Sequence, residues 1–159
     1  MVSDHQPASS TVLVGMGNPF LTDDSIGIRL ARDIGSRLGP AAKIDLVDEC
    51  SVGGLNLLDV FAGYQRAIVI DSIRSNAADP GDWYRFTATS LRETMNLANV
   101  HDANFATALE LGRQTGMDLP HDEQIHVLAV EVEDNLTFSE ELSAPLANAK
   151  TKTATILTF

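Results

Sequence analysis

Two periods of apolar and polar residues alternate along the chain. Short continuous runs rich in Val and Ile, at residues 11–15, 44–47, 67–71 and 125–130, read as buried strands of a parallel sheet. Between them the spacing switches to that of amphipathic helices. Asp23 opens the first helix: Ile26, Leu30, Ile34 and Leu38 recur every four residues, Arg29, Arg32 and Arg37 take the wet side, and Gly39-Pro40 stops it. A second helix carries Leu55, Leu58 and Phe61 and closes at Gly63, and a third spans 102–115 with Phe105, Ala108, Leu109 and Leu111 facing inward. Asp79-Pro80-Gly81 is a turn ahead of an edge or antiparallel strand at 83–86, and most of 87–100 reads as loop. Ser143, with Pro145 just inside, starts a last helix that continues through Leu146, Ala149, Thr153 and Ile156. Strands alternating with helices predict one α/β domain over 11–159, behind a flexible tail at 1–10.

Composition narrows the function. The chain has 159 residues, 44% of them hydrophobic and 21% charged, which is ordinary globular usage and excludes a disordered or repeat-dominated protein. Eleven Lys and Arg against 22 Asp and Glu give a net charge of −11, and the basic residues form no run, so neither a nucleic-acid groove nor an anionic membrane surface is expected. One cysteine, Cys50, rules out an internal disulfide and a Cys-cluster metal site. With no apolar signal segment at the start and no run near the ~20 residues of a membrane span, a cytoplasmic protein without membrane insertion is expected.

Parallel sheets present functional groups at the carboxyl ends of their strands. Three polar residues fall there: Asp24 after the turn that leaves the first strand, Asp71 at the end of the third, and His101 just before the third helix. Singly, each has a structural explanation, as a first-turn acid, a turn cap and a loop histidine. Together, two carboxylates and an imidazole suit a divalent ion such as Ni, Zn or Mn and leave positions open for substrate. The two carboxylates could equally share a proton and act as general acid and base, and residue types alone do not separate these roles. Cys50 as a nucleophile with His101 as its base is the weaker choice, since a small residue at a strand end packs. His121 and His126 are expected in solvated positions, Trp83 and Tyr84 in packing, and residues 131–134, Glu-Val-Glu-Asp, as a solvated strand exit, the alternative being an acidic patch that helps a basic partner dock. No phosphate loop, HExxH, GxSxG or CxxC pattern occurs, and Phe20 stands where a dinucleotide fingerprint needs a small residue.

Residues 12–27, VLVGMGNPFLTDDSIG, resemble the opening segment of the hydrogenase maturation proteases, endopeptidases that trim the C-terminal extension from the large subunit of [NiFe] hydrogenases after nickel insertion. Residues 67–72, AIVIDS, and His101-Asp102 ahead of 106–111, ATALEL, match the family's second and third segments in order and approximate spacing. The resemblance implies a three-layer α/β/α sandwich around a twisted, mostly parallel sheet of about five strands, of the phosphorylase/hydrolase-like kind. It implies an aspartic-type, nickel-dependent peptidase in which Asp24, Asp71 and His101 are both metal ligands and catalytic residues. The nickel belongs to the substrate precursor, a surrogate such as Zn or Cd being able to take its place, and the enzyme is expected to be monomeric. Many members carry Glu where Asp24 stands, one methylene longer. Peptidyl-tRNA hydrolases are similar at the Gly-x-Gly-Asn-Pro turn, but the Arg-His-Asn that follows there is replaced here by Phe20-Leu21-Thr22-Asp23-Asp24. A nickel-binding chaperone module that uses the same three residues without cleavage is the alternative from outside the enzymes.

Overall fold

The computed structural model describes residues 9–51, 55–90 and 100–149. The elements are β1 (Thr11–Met16), α1 (Ile26–Leu38), β2 (Ile44–Cys50), α2 (Leu55–Phe61), β3 (Arg66–Ile73), β4 (Trp83–Thr87), α3 (Val100–Gln114), β5 (Ile125–Glu131) and α4 (Ala144–Asn148). Short 3-10 turns stand at Thr22–Ser25, Pro40–Ala42 and Asp122–Gln124. The five strands form one sheet in the order β2-β1-β3-β5-β4, parallel except for β4, which runs antiparallel to β5. This is the α/β fold expected from the alternating periods and the sandwich that the family resemblance implies.

Successive residues of a strand face opposite sides of the sheet, and the core divides accordingly. Val12, Val14, Ala67, Val69 and Ile125 pack with Leu57, Leu58 and Phe61 of α2 and Leu109 of α3. Leu13, Ile70 and Val130 pack with Ile26 and Ala31 of α1 and Leu146 of α4. Phe61 and Phe105 meet edge to face, ring centroids 6.1 Å apart, and so lock α2 against α3.

Several elements differ from the sequence expectation at their ends. Leu38 and Leu111 are exposed: Leu38 is the last residue of α1, and Leu111 lies off the α3 face that buries Ala108, Leu109 and Gly112. In α1 it is Ile28 and Ala31 that are fully buried. Strand β2 extends through Asp48 and Glu49, whose carboxylates lie on Arg32 at 2.7 and 2.9 Å. The stretch expected to be loop has helical residues at 88–90 and at Val100, and 91–99 lie outside the described residues. Helix α4 ends at Asn148, and Thr153 and Ile156 lie outside the described residues, as do positions 1–8 of the expected tail. The carbonyl of Ser10 accepts hydrogen bonds from the amides of Gln65 and Arg66 at 2.9 and 3.1 Å. Among the described residues no helix is long and apolar enough to cross a membrane.

Helix α1 enters over the carboxyl ends of β1 and β3 at Gly27, where a Cβ would overlap the carbonyl oxygens of both Met16 and Ile70. Gly27→Ala must therefore lift α1 off the sheet, and urea unfolding should show a loss of about 1–3 kcal/mol or more, as overpacking does.

Candidate active site

The chain crosses from the β2 side of β1 to its β3 side, so the crevice at the carboxyl ends of β1 and β3 is the switch point of the sheet. Gly15 lies opposite Ile70, and Asp71 follows at the rim. On the β1 side the exit turns tightly. Gly17 has φ +136°, a conformation open to glycine, and a Cβ there would overlap the carbonyl oxygen of Asp24. The Asn18 side chain accepts a hydrogen bond from the amide of Phe20 at 2.9 Å, and its carbonyl accepts one from the amide of Leu21 at 3.2 Å. The turn folds back so that the Asn18 amide donates to Asp24 Oδ2 at 2.8 Å.

Ser72 joins the two halves. Its hydroxyl donates to Asp24 Oδ1 at 2.7 Å, and its amide donates to Asp71 Oδ1 at 2.8 Å. Ser72 thus bonds both Asp24 and Asp71, which are half-buried at the rim. Both oxygens of Asp24 are oriented by a donor and keep lone-pair capacity for a further partner. Ser72 has no distinctive sequence signal beyond its place after Asp71. His101 is the second residue of α3 and not the residue before it; its side chain lies outside what the structure describes. Among the described residues no three His, Cys, Asp or Glu side chains assemble into a metal site.

Two further carboxylates hold this arrangement, and neither was expected to do so. Asp23 is 0% exposed. Its Oδ1 accepts the amide of Ser143 at 2.8 Å, and its Oδ2 accepts the Ser143 hydroxyl at 2.7 Å and the amides of Asp134 and Glu133 at 3.0 and 3.2 Å. The Ser143 hydroxyl, expected to cap α4, is committed to Asp23 instead. Glu131, at the end of β5, is 1% exposed, which corrects the expectation of a solvated strand exit. Its Oε1 accepts the amides of Ser75 and Asn76 at 2.8 and 3.0 Å, and its Oε2 accepts the hydroxyls of Ser75 and Tyr84. Asp23 therefore fixes the turn that carries Asp24, while Glu131 fixes the loop that follows Asp71. Tyr84 otherwise stacks on Phe86, and Cys50 packs in the core with its carbonyl accepting the Gly17 amide at 3.1 Å, in line with the packing expected of both.

The remaining acids and histidines behave differently. Asp134 is held down to about 2 by hydrogen bonds from the Thr137 side chain and the amides of Leu136 and Thr137. His126 is not in a fully solvated position. It sits within β5, where partial burial and then Arg85 and Arg66 lower its pKa.

Two half-buried carboxylates bonded to one serine at the switch point of an α/β sheet offer groups that hydrolysis or metal recognition can use. A family model described as HycI, hydrogenase maturation protease, matches residues 28–158, and the chain belongs to that family. Asp71 and His101 fall inside the match, and Asp24 lies just ahead of it. The fold is similar to the hydrogenase maturating endopeptidase HybD from E. coli, with 22% identity, a TM-score of 0.69, and coverage of 93% of this chain and 90% of that one. It is also similar to the [NiFe] hydrogenase maturation protease HybD from Thermococcus kodakarensis, at 19% identity, TM-score 0.68 and coverage of 93% and 96%. The maturation protease HycI from Thermococcus kodakarensis KOD1 gives 17% identity, TM-score 0.65 and coverage of 94% and 91%. Comparison with curated protein sequences yields no match.

Asp23→Asn leaves an amide NH2 among donors and should lower stability by at least about 2 kcal/mol in urea unfolding, the cost of stranding a buried polar group. Asp134 should show a pH signature. Because its folded pKa is depressed, its contribution is fully present above the unfolded value of about 3.9 and is lost as pH falls through about 2. The Tm gap between wild type and Asp134→Asn should therefore narrow steadily as pH is lowered from about 5 to about 2.

Proposed function

We propose that this protein is the endopeptidase that removes the C-terminal extension of a [NiFe] hydrogenase large-subunit precursor once nickel has been inserted, and that Asp24, Asp71 and His101 recognise the nickel seated in that substrate. The observation that carries the proposal is the meeting of Asp24 and Asp71 on Ser72 at the switch point. Carboxylate oxygens with an imidazole nitrogen match the preferences of a borderline divalent ion, and His101 belongs to the first turn of α3. The metal is part of the substrate, so it reaches the site together with the bond to be cut. Hydrolysis of that bond consumes one water. A site carboxylate accepts the proton of the attacking water, and the proton passes to the leaving amine. A cytoplasmic place of work fits a protein acting on a newly made precursor, and a monomer suffices because both described site carboxylates come from one chain.

Intact-mass analysis of a large-subunit precursor from the same organism, with and without prior nickel loading, tests the reading. A single C-terminal cut confined to the loaded sample is the expected result. Cutting in both would remove the nickel requirement, and nickel binding without any cut would favour a chaperone. Asp71→Ala and His101→Ala should lower kcat/KM by at least about a hundredfold, the scale of losing a general acid–base group, with an unchanged circular dichroism spectrum. Asp24→Glu should retain cleavage. Cys50→Ala should leave it nearly unchanged.

A further inference from the structure

The exposed apolar side chains are unevenly placed. Phe20 at 59%, Leu136 at 70% and Phe138 at 83% are the most exposed large hydrophobic residues described. All three ride on the two loops that border the carboxyl end of the sheet beside Asp24. The loops are joined to each other: Leu21 and Phe138 form an antiparallel bridge, the Ser139 amide donates to the Phe20 carbonyl at 3.0 Å, and the Thr22 amide and hydroxyl donate to the Thr137 carbonyl at 3.0 and 2.6 Å. Beneath them, Asp23 ties both loops down. The backbone is thus fixed by a buried anchor while its large apolar side chains are left in water, the pattern of a surface kept for a partner and not of a poorly packed loop.

Charge says which partner. Glu133, Glu140 and Glu141 on the same stretch are exposed. The nearby Arg29 is directed at the Ser25 hydroxyl, 2.9 Å away, and at the Glu140 carbonyl. A second copy of this chain would set these acids against themselves, on top of a net charge of −11 for each molecule. An anionic membrane or nucleic acid is repelled in the same way.

We propose that the Phe20, Leu136 and Phe138 surface docks an extended segment of the protein substrate in which apolar side chains are flanked by Lys or Arg, and so guides the scissile bond toward Asp24 and Asp71. This docking role rests on the protease reading above and adds to it the chemistry of the segment that is gripped. Apolar contacts supply affinity, and the acids Glu133, Glu140 and Glu141 supply orientation and encounter rate.

The test measures binding and cleavage separately on the nickel-loaded precursor, using wild type, the double variant Leu136→Ser/Phe138→Ser, and the charge-reversal variant Glu140→Lys/Glu141→Lys. These side chains are in solvent, so circular dichroism and Tm should stay at wild-type values. Both variants should bind the precursor at least about tenfold more weakly and raise KM by a similar factor, with kcat changed by no more than about twofold. Wild-type affinity should also fall as salt is raised. Variants that bind as tightly as wild type overturn the docking role while cleavage leaves the protease reading standing. Wild type that binds but does not cut, with the variants weakened, sinks the protease reading and keeps the docking surface. Failure of wild type to bind, or self-association that the double variant abolishes, overturns the proposal.

Discussion

A carboxylate without exposed surface, and with no ion pair among the described residues, sits at the centre of this structure's rim. Taking an ionised carboxylate out of water costs several kcal/mol, and Asp23 offsets that cost with four hydrogen bonds, from the amides of Glu133, Asp134 and Ser143 and the hydroxyl of Ser143. Bonds to a charged acceptor are each worth about 1.5–3 kcal/mol, so the balance is favourable only while nearly all are kept. The turn Thr22–Ser25, the exit of β5 and the start of α4 therefore behave as one unit. Asp24 inherits its place from that unit, since it is the next residue along the same turn. Glu131 does the equivalent service on the other side, gathering the loop beyond β3 through Ser75 and Asn76.

The two anchors meet at the exit of β5, Glu131 as its last residue and Asp23 as acceptor for the residues that follow, and the sheet beneath is built to bear them. The parallel pairing of β3 with β1 and β5 places Asp71 and Ser72 at the carboxyl edge, with Gly27 allowing α1 to press directly on Met16 and Ile70. Residues of opposite parity on those strands fill two separate cores, so the strands are clamped from both faces. A site on such a floor loses little freedom when it meets a ligand, because little is left to lose.

The strand and helix periods were legible because each buried face repeats at a fixed interval; the residues at the strand ends followed from the same pattern, and Asp24 and Asp71 with them. What escaped reading was long-range. Nothing local distinguishes Asp23 from Asp24, yet one is sealed in and the other half-open, because the donors that make burial tolerable to Asp23 come from positions 110 to 120 residues away. Glu131 reads as the first acid of a charged exit for the same reason: its partners Ser75, Asn76 and Tyr84 are brought to it by β3 and β4 and not by its neighbours. Periodicity also overshot at Leu38, the last residue of α1, and at Leu111, which lies off the face that buries Ala108, Leu109 and Gly112. At β2 the acids Asp48 and Glu49 look like a strand terminus, but an edge strand tolerates charged side chains, and Arg32 across from them completes the pairs.

In the proposed reaction, discrimination between loaded and unloaded precursor need not come from attraction to nickel alone. The carboxylate of Asp24 is already oriented by Asn18 and Ser72 and so cannot turn away when a substrate closes over it. Docking a precursor without its metal would cover Asp24 and Asp71 and remove water from two like charges with no cation between them, a penalty of several kcal/mol. Under the proposal, a metal seated in the substrate would bring a divalent charge to those carboxylates on the same closure, and the penalty would become a gain. Selection of this kind rests on what the wrong complex must endure as much as on what the right one forms. It also accounts for the rigid mounting of the site: flexible carboxylates could swing back into solvent, and the unloaded precursor would then be tolerated.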